Sequence, residues 1–235
     1  MSNVKDKIIT ALDVSYDDAV KLISEIRDNV GFFKVNALFV ERADIIEKIK
    51  EFNGKVFLDL KFHDIPFTVG NHCKAAVKKG IDMMTIHTCG GIAMMESAAE
   101  SVRNSAEELG VKKPILLGIT LLTSVDLDVL NEELRINGTI EEQVVHLAKL
   151  AKQAGLDGVV ASPKETALIK KECGNDFLVV TPGIRPRWSV ADDQKRITTP
   201  KDAIDNGSDF LVIGRAITGQ EDKVEAVRKI IEEMS

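Results

Sequence analysis

The feature that most constrains the fold is an alternation, repeated eight times, between a short apolar segment and a longer charged segment. The apolar segments are near-continuous runs of β-forming residues, which is typical of parallel strands buried on both faces. The charged segments carry apolar residues at helical spacing. Strands are predicted at 8–14, 32–36, 56–61, 83–87, 115–120, 158–162, 178–181 and 210–214, and helices near 17–29, 39–52, 67–79, 91–109, 140–154, 163–173, 200–206 and 216–233.

Eight strand–helix units in 235 residues favour a closed (β/α)8 TIM barrel, because the period is regular and no Gly/Ser-rich or Pro-rich linker interrupts it. We therefore expect one barrel domain over residues 1–235. A doubly wound open sheet is the structural alternative. Two long connections stand out: residues 182–200 have neither a helical nor a strand period, and residues 124–138 have a leucine spacing that predicts a short helix.

Charge and cysteine content narrow the class of function. The net charge of −6 argues against a nucleic-acid or membrane-surface partner, although a few cations can still converge on a small anionic substrate. The three cysteines (Cys73, Cys89 and Cys173) are far apart in the sequence, which argues against a disulfide framework and fits the cytoplasm. We see neither a signal peptide nor an apolar run of membrane-spanning length.

Polar residues recur where the predicted strands end, and in a barrel these ends meet at the face that carries the active site. In the third strand, alternation directs Asp59 and Lys61 to the same side, with Asp64 in the loop beyond. Lys34 ends the neighbouring strand, close enough to contact Asp59. This set of alternating charges predicts a functional site, and a structural ion-pair network is the alternative.

A second signal lies at the end of the eighth predicted strand, where Gly214-Arg215 precedes a helix. A glycine allows close approach of a ligand, the first amides of a helix favour an anion, and a guanidinium matches phosphate oxygens. We therefore expect a phosphate site here. Arg185 and Gln194, in the long connection, could close over the same phosphate or could be solvated loop residues.

The remaining chemistry-bearing residues predict neither a metal nor a cofactor. The histidines His63, His72, His87 and His146 lack the spacing of a metal site, and GxGxxG and Walker patterns are absent. His72 and His146 are expected on helix surfaces. His87 is interpreted as a hydrogen-bonded structural residue.

Taken together, these segments resemble the orotidine 5'-phosphate decarboxylase family, in its bacterial form, over nearly the whole chain. The Asp-x-Lys-x-x-Asp element is shared with enzymes acting on sugar phosphates, so the narrower assignment depends on its His-Asp-Ile-Pro continuation, on Thr-Pro-Gly-Ile-Arg-Pro and on the Gln-bearing loop. The matching segments are Ala11-Leu12-Asp13-Val14, Phe33-Lys34-Val35, Asp59-Leu60-Lys61-Phe62-His63-Asp64-Ile65-Pro66-Phe67-Thr68, Thr85-Ile86-His87-Thr88-Cys89-Gly90-Gly91, Leu122-Thr123-Ser124, Thr181-Pro182-Gly183-Ile184-Arg185-Pro186, Asp193-Gln194-Lys195-Arg196 and Ile213-Gly214-Arg215.

The resemblance implies conversion of orotidine 5'-monophosphate to UMP, the last step of de novo pyrimidine nucleotide biosynthesis, without metal or cofactor. Lys61 would protonate C6, Asp59 would lie beside the departing carboxylate, and Lys34 would hold Asp59 and contact the ribose. Asp64 would complete the site of the other subunit in a homodimer. The implied substrate-binding residues are Asp13 and Thr68 for the ribose, Thr123, Ser124 and Pro182 for the pyrimidine, and Arg185, Gln194, Gly214 and Arg215 for the phosphate.

Two other functions stay open on the residues alone. A sugar-phosphate decarboxylase or lyase on the same barrel would use the Asp-Lys-Asp element with a divalent metal. A non-catalytic nucleotide-binding barrel would bind without turnover, although such a protein has no need of Lys34, Asp59, Lys61 and Asp64 together.

Overall fold

Eight parallel strands close into a barrel in the computed structural model, which describes residues 4–189 and 198–234. Each strand pairs with its neighbours in the sequence, and β8 pairs with β1. The predicted (β/α)8 barrel is therefore confirmed, and the open sheet is wrong. The strands are β1 (Ile8–Ala11), β2 (Phe32–Val35), β3 (Val56–Phe62), β4 (Met83–His87), β5 (Ile115–Ile119), β6 (Gly158–Val160), β7 (Leu178–Thr181) and β8 (Phe210–Ile213).

The helices lie between the strands, as predicted, and their starts carry the expected caps. Thr139 and Thr199 each accept a hydrogen bond from the amide three residues later in a capping box, and Pro66 occupies the first turn of its helix. The helices are α1 (Tyr16–Ile26), α2 (Ala37–Glu41), α3 (Ile45–Glu51), α4 (Pro66–Lys78), α5 (Ile92–Leu109), α6 (Ile140–Gln153), α7 (Thr166–Cys173), α8 (Pro200–Asp205), α9 (Arg215–Thr218) and α10 (Lys223–Glu233).

Two predicted helices are each divided into two. The stretch 39–52 breaks after α2, where Arg42 is extended and its guanidinium pairs with Asp44 at 2.8 Å. The stretch 216–233 breaks after α9, and α10 begins anew with Asp222 accepting from the Glu225 amide. The short helix predicted within 124–138 is a π-helical turn, Val129–Glu133, with Leu130 buried. Across the described residues, none of the helices is long and apolar enough to cross a membrane.

The interior of the barrel changes character along its axis. Toward the amino-terminal ends of the strands, the inward side chains form a closed apolar layer of Ile9, Phe32, Phe57, Met83, Leu117 and Val180. Further along the same strands, the inward positions are Lys34, Asp59 and Thr85, so the apolar layer becomes the floor of a polar site.

The opposite, amino-terminal end of the barrel carries a repeated ion-pair arrangement. Asp82, Asp157 and Asp209, here called the bottom aspartates, directly precede β4, β6 and β8. Each accepts from one amide near the start of the preceding strand, at 2.7–2.8 Å, and pairs with one lysine. The lysines are Lys50, Lys113 and Lys170, respectively. Each arrangement joins two neighbouring strands, and each aspartate–lysine pair has no net charge.

Candidate active site

A cavity of about 650 Å³ opens at the carboxyl ends of the strands, within the size range of small-molecule sites. Its walls include most of the residues that the sequence predicted. Those that line it are Asp13, Lys34, Asp59, Lys61, Thr123, Ser124, Pro182, Arg185, Gly214 and Arg215. The lining residues come from segments distant in the sequence, and the barrel closure brings them together.

At the centre of the cavity, one carboxylate lies between two ammonium groups. Asp59 Oδ2 is 2.8 Å from Lys61 Nζ and 3.4 Å from Lys34 Nζ. The Asp59 side chain is 12% exposed and that of Lys61 is 32% exposed, so the lysine can face a bound molecule while the carboxylate is held from behind. Within one chain, this set carries one net positive charge, which favours an anionic ligand.

The local backbone explains how Lys61 reaches this position. The β3–β4 pairing shifts between Leu58 and Phe62, so that four residue steps along β3 span two steps along β4. Within this bulge, Lys61 has φ +51°, a left-handed conformation that is unfavourable for a side chain other than glycine. Asp59 and Lys61 do point the same way, as predicted, but along a bulged strand and not by regular alternation.

Sequence reasoning missed Thr85, a fully buried residue on β4. Its hydroxyl donates to Asp59 Oδ1 at 2.9 Å and accepts from the Lys61 amide at 3.0 Å. The signal that could have identified it is a hydroxyl residue at an inward position of β4, two residues beyond the apolar Met83. The cavity also has Ser189, Thr218 and Gln220 in its walls, none of which was predicted.

Among the described residues, two predicted site residues do not line the cavity of their own chain. Asp64 is exposed, and its Oδ1 accepts from the Ile65 amide at 2.6 Å. Thr68 lies in the first turn of α4, also outside the cavity. Around them, Ile65 and Phe67 are 65% and 76% exposed, which places two large apolar side chains on the surface beside Asp64.

The predicted phosphate end has open space above Gly214. A Cβ added there would come no closer than 3.7 Å to another atom, Ala11 Cβ, so the glycine leaves its backbone accessible from the cavity. Arg215 begins α9, which has four residues and therefore adds only its first amides to the guanidinium. Arg185, beyond the neighbouring strand β7, lines the same cavity, and its amide donates to the Thr198 carbonyl at the base of the long connection, at 3.1 Å. Gln194 lies outside the described residues.

The histidines remain outside the cavity lining. His87 is half-buried with its ring 5.4 Å from that of His63, and burial, followed by the charges of His63 and Lys61, lowers the pKa of His87. His72 and His146 are exposed on helices, as predicted. Within residues 4–189 and 198–234, no group of three His, Cys, Asp or Glu side chains is arranged to hold a metal ion.

Comparisons with known proteins point to one family. A sequence model of the "Orotidine 5'-phosphate decarboxylase / HUMPS family" matches residues 6–230. The chain is 47% identical to the orotidine 5'-phosphate decarboxylase of Syntrophotalea carbinolica, over 98% of this chain and 96% of the relative. It is 45% identical to that of Moorella thermoacetica, over 99% and 93%. The crystal structure of the Lactobacillus acidophilus orotidine 5'-phosphate decarboxylase is similar with a TM-score of 0.85, at 39% identity and with 97% of this chain and 98% of that chain covered.

Proposed function

The chain belongs to the orotidine 5'-phosphate decarboxylase / HUMPS family, and we propose that it converts orotidine 5'-monophosphate to UMP and carbon dioxide, the last step of de novo pyrimidine nucleotide biosynthesis. The observation that carries the proposal is the contact of both Lys34 and Lys61 with Asp59 inside the cavity. A fixed ammonium is what a reaction that develops negative charge on carbon requires.

The reaction breaks the bond between C6 and the carboxylate carbon. The electron pair left at C6 lies in the plane of the ring, so the pyrimidine π system cannot readily delocalise it. Lys61 Nζ supplies positive charge beside C6 and then a proton, and the resulting amine is reprotonated from solvent. Asp59 keeps the ammonium oriented and lies beside the departing carboxylate. In this proposal, the lysine ammonium stabilises the carbanion, as a metal or an electron-sink cofactor does in other decarboxylases.

The rest of the cavity orients the substrate along a line from C6 to the phosphate. Asp13 and Lys34 contact the ribose, and Thr123, Ser124 and Pro182 contact the pyrimidine. Arg185, Gly214 and Arg215 hold the phosphate, with Gln194 joining from the long connection. Binding energy from the phosphate, remote from the reacting carbon, can hold the site closed and lower the barrier at C6.

The assay that tests the proposal follows the loss of substrate absorbance and the formation of UMP. The expected result is turnover that persists after dialysis against EDTA, because Lys61 supplies the charge. Turnover that requires magnesium, or activity on a sugar phosphate alone, would instead indicate a metal-assisted sugar-phosphate enzyme. Nucleotide binding without turnover would indicate a binding protein.

The enzyme is further proposed to act as a homodimer in which Asp64, and Thr68 beside it, complete the other subunit's site. Support comes from the position of both residues outside their own cavity. The exposed Ile65 and Phe67 beside Asp64 also support it, since apolar side chains at this density suit a protein interface.

Mixing two inactive variants tests the shared site. Lys61→Ala and Asp64→Ala homodimers should each be nearly inactive, whereas a heterodimer has one site with both side chains intact. After random exchange of subunits, roughly a quarter of the sites are complete, because half of the dimers are mixed and each has one intact site. Activity that stays at the level of the separate variants would contradict a shared site.

The cytoplasm is the proposed location. Cys73, Cys89 and Cys173 are free thiols, and the cytoplasm keeps thiols reduced. The proposed partners of the protein are its substrate, its product and the second subunit; we propose no role for nucleic acid or membrane.

A further inference from the structure

The β3–β4 boundary beside Lys61 lacks the regular pairing found elsewhere along these strands. Leu58 faces Met84 and Phe62 faces Ile86, so Thr85 is the one β4 residue opposite Asp59, Leu60 and Lys61. A backbone that departs from its ladder needs other hydrogen bonds to fix its conformation. The departure occurs at the residues that the proposed reaction uses.

The Thr85 side chain supplies those hydrogen bonds. Its oxygen accepts from the Lys61 amide at 3.0 Å, so its proton is free to point elsewhere, and it donates to Asp59 Oδ1 at 2.9 Å. One hydroxyl therefore holds the left-handed backbone of Lys61 and one oxygen of Asp59 together. The other oxygen, Oδ2, remains for the two lysines.

We infer that Thr85 is a positioning residue for the decarboxylation: it holds the Lys61 ammonium and the Asp59 carboxylate in the geometry that the reaction requires. The inference rests on the proposed function. Thr85 is not among the residues that line the cavity, so it acts through Asp59 and Lys61. Its removal should therefore affect turnover far more than nucleotide binding.

A structural role alone would give a different result, and Thr181 offers the matched comparison. Thr181 is also fully buried, lies on β7 across the barrel from β3, and donates to Ser208 Oγ at 3.1 Å. Thr85→Val and Thr181→Val each replace a buried hydroxyl by a methyl group, so both should lower Tm. Only the first loses a contact to the Lys–Asp–Lys set.

The experiment measures kcat, KM, UMP affinity and Tm for wild type, Thr85→Val, Thr85→Ser and Thr181→Val. The kinetic and binding measurements are made at a temperature well below the lowest of the four Tm values. For Thr85→Val we expect kcat to fall roughly 10- to 100-fold, which is the range that misplacement of reacting groups produces. KM and UMP affinity should change little, since the lost interaction orients the reacting groups. Thr85→Ser keeps the hydroxyl and should recover most of kcat, and Thr181→Val should keep wild-type kcat.

Several results would overturn the inference: a Thr85→Val kcat within twofold of wild type, an equal loss in Thr181→Val, or no recovery in folded Thr85→Ser. If Thr85→Val does not fold, Thr85→Cys is compared with Thr85→Ser instead. A thiol is a weak hydrogen-bond donor, so the kcat of Thr85→Cys should be lower than that of Thr85→Ser. Equal kcat for these two variants would also overturn it. Absence of turnover in the wild type would reject the proposed function itself, whereas normal wild-type turnover with an unaffected Thr85→Val rejects only the role of Thr85.

Discussion

The two ends of the barrel use the same residue types in different proportions. At the amino-terminal end, each of the bottom aspartates meets one lysine and one backbone amide, so charge and hydrogen bonding are balanced. At the carboxyl end, Asp59 is shared by Lys34, Lys61 and the Thr85 hydroxyl, so that within one chain two ammonium groups meet one carboxylate. Arg185 and Arg215 add two positive charges to the same cavity and Asp13 adds one negative charge, so positive charge remains in excess even with one carboxylate from a second subunit. Balanced pairs join neighbouring strands, whereas an excess of fixed positive charge in a cavity favours an anionic ligand and stabilises charge that develops on it.

The largest expected effect tests the carboxyl end. Lys61→Ala should lower kcat by more than about 10³-fold, because it removes the group that we propose as the proton donor and as the positive charge beside C6. UMP binding should persist, since the proposed phosphate contacts are remote from Lys61. Steady-state kinetics with a binding titration measure both quantities. A variant that retains a tenth of wild-type kcat would contradict the role of Lys61.

The matched control for Lys61 is a lysine from the balanced end. Lys113→Ala removes the partner of Asp157, which is 2.6 Å away, without touching the cavity. Its kcat should equal that of wild type, and its Tm should fall slightly. A loss of kcat in Lys113→Ala comparable to that in Lys61→Ala would break the distinction between the two ends.

The phosphate contact should be the second largest effect. Arg215→Ala is expected to lower kcat/KM by about 10²-fold or more, because a charge-assisted bidentate contact to phosphate is lost. The control is Arg228→Ala on α10, where the guanidinium pairs with Glu225 on the exposed surface. Michaelis–Menten analysis of both variants checks this, and an unchanged kcat/KM in Arg215→Ala would remove the phosphate site from this end of the barrel.

The stability of the protein should depend on pH through His87, which lies near Lys61. Burial and the nearby charges of His63 and Lys61 lower the pKa of His87, so the folded protein disfavours its protonated form. Stability from this group is therefore present above the pKa of an unfolded histidine, about 6.5, and is lost as pH falls through and below that value. His87→Gln should show a smaller decrease of Tm between pH 7 and pH 5 than wild type. His146→Gln, on the exposed face of α6, should follow the wild-type curve, and equal decreases in all three proteins would refute the assignment.

The smallest expected effect is a change in stability from a substitution in the barrel wall, between the two ends. Thr10 on β1 is fully buried, and its hydroxyl has no partner among the described residues. Thr10→Val replaces that hydroxyl by a methyl group of similar shape and should raise the free energy of unfolding by up to about 1 kcal/mol. Thermal unfolding measures the change, and a decrease in Tm would show that the hydroxyl is satisfied in the folded protein.

The difference between the ends also explains which features could be predicted from sequence. Strands buried on both faces produce apolar runs, and a regular sequence of such runs indicates a barrel before any contact is known. Charged residues at strand ends, such as Lys34 and Asp59, stand out because they interrupt apolar runs in which a buried charge is not expected. The cavity residues Gly214 and Arg215 were found on this basis.

The features that were missed depend on contacts between segments. A left-handed lysine has no signature in the sequence, so the β3 bulge at Lys61 could not be foreseen, and the role of Thr85 depends on that bulge. The breaks after α2 and α9 coincide with local contacts, the Arg42–Asp44 pair and the Asp222 cap of α10, that an otherwise continuous helical spacing does not reveal.

The most direct test of the account compares one isosteric change at each end: Asp59→Asn and Asp209→Asn, each measured for kcat on orotidine 5'-monophosphate and for Tm on the same preparation. We expect Asp59→Asn to lose at least about 10²-fold in kcat, because Lys61 is no longer oriented. Its Tm should fall as well, since the amide cannot offset the charges of Lys34 and Lys61. Asp209→Asn should keep wild-type kcat while its Tm falls by several degrees, the consequence of a loss of about 1–3 kcal/mol at a partly buried carboxylate with two donors. Equal losses of kcat in the two variants, or an active Asp59→Asn, would contradict the division between a balanced end that maintains the fold and a positively charged end that performs the chemistry.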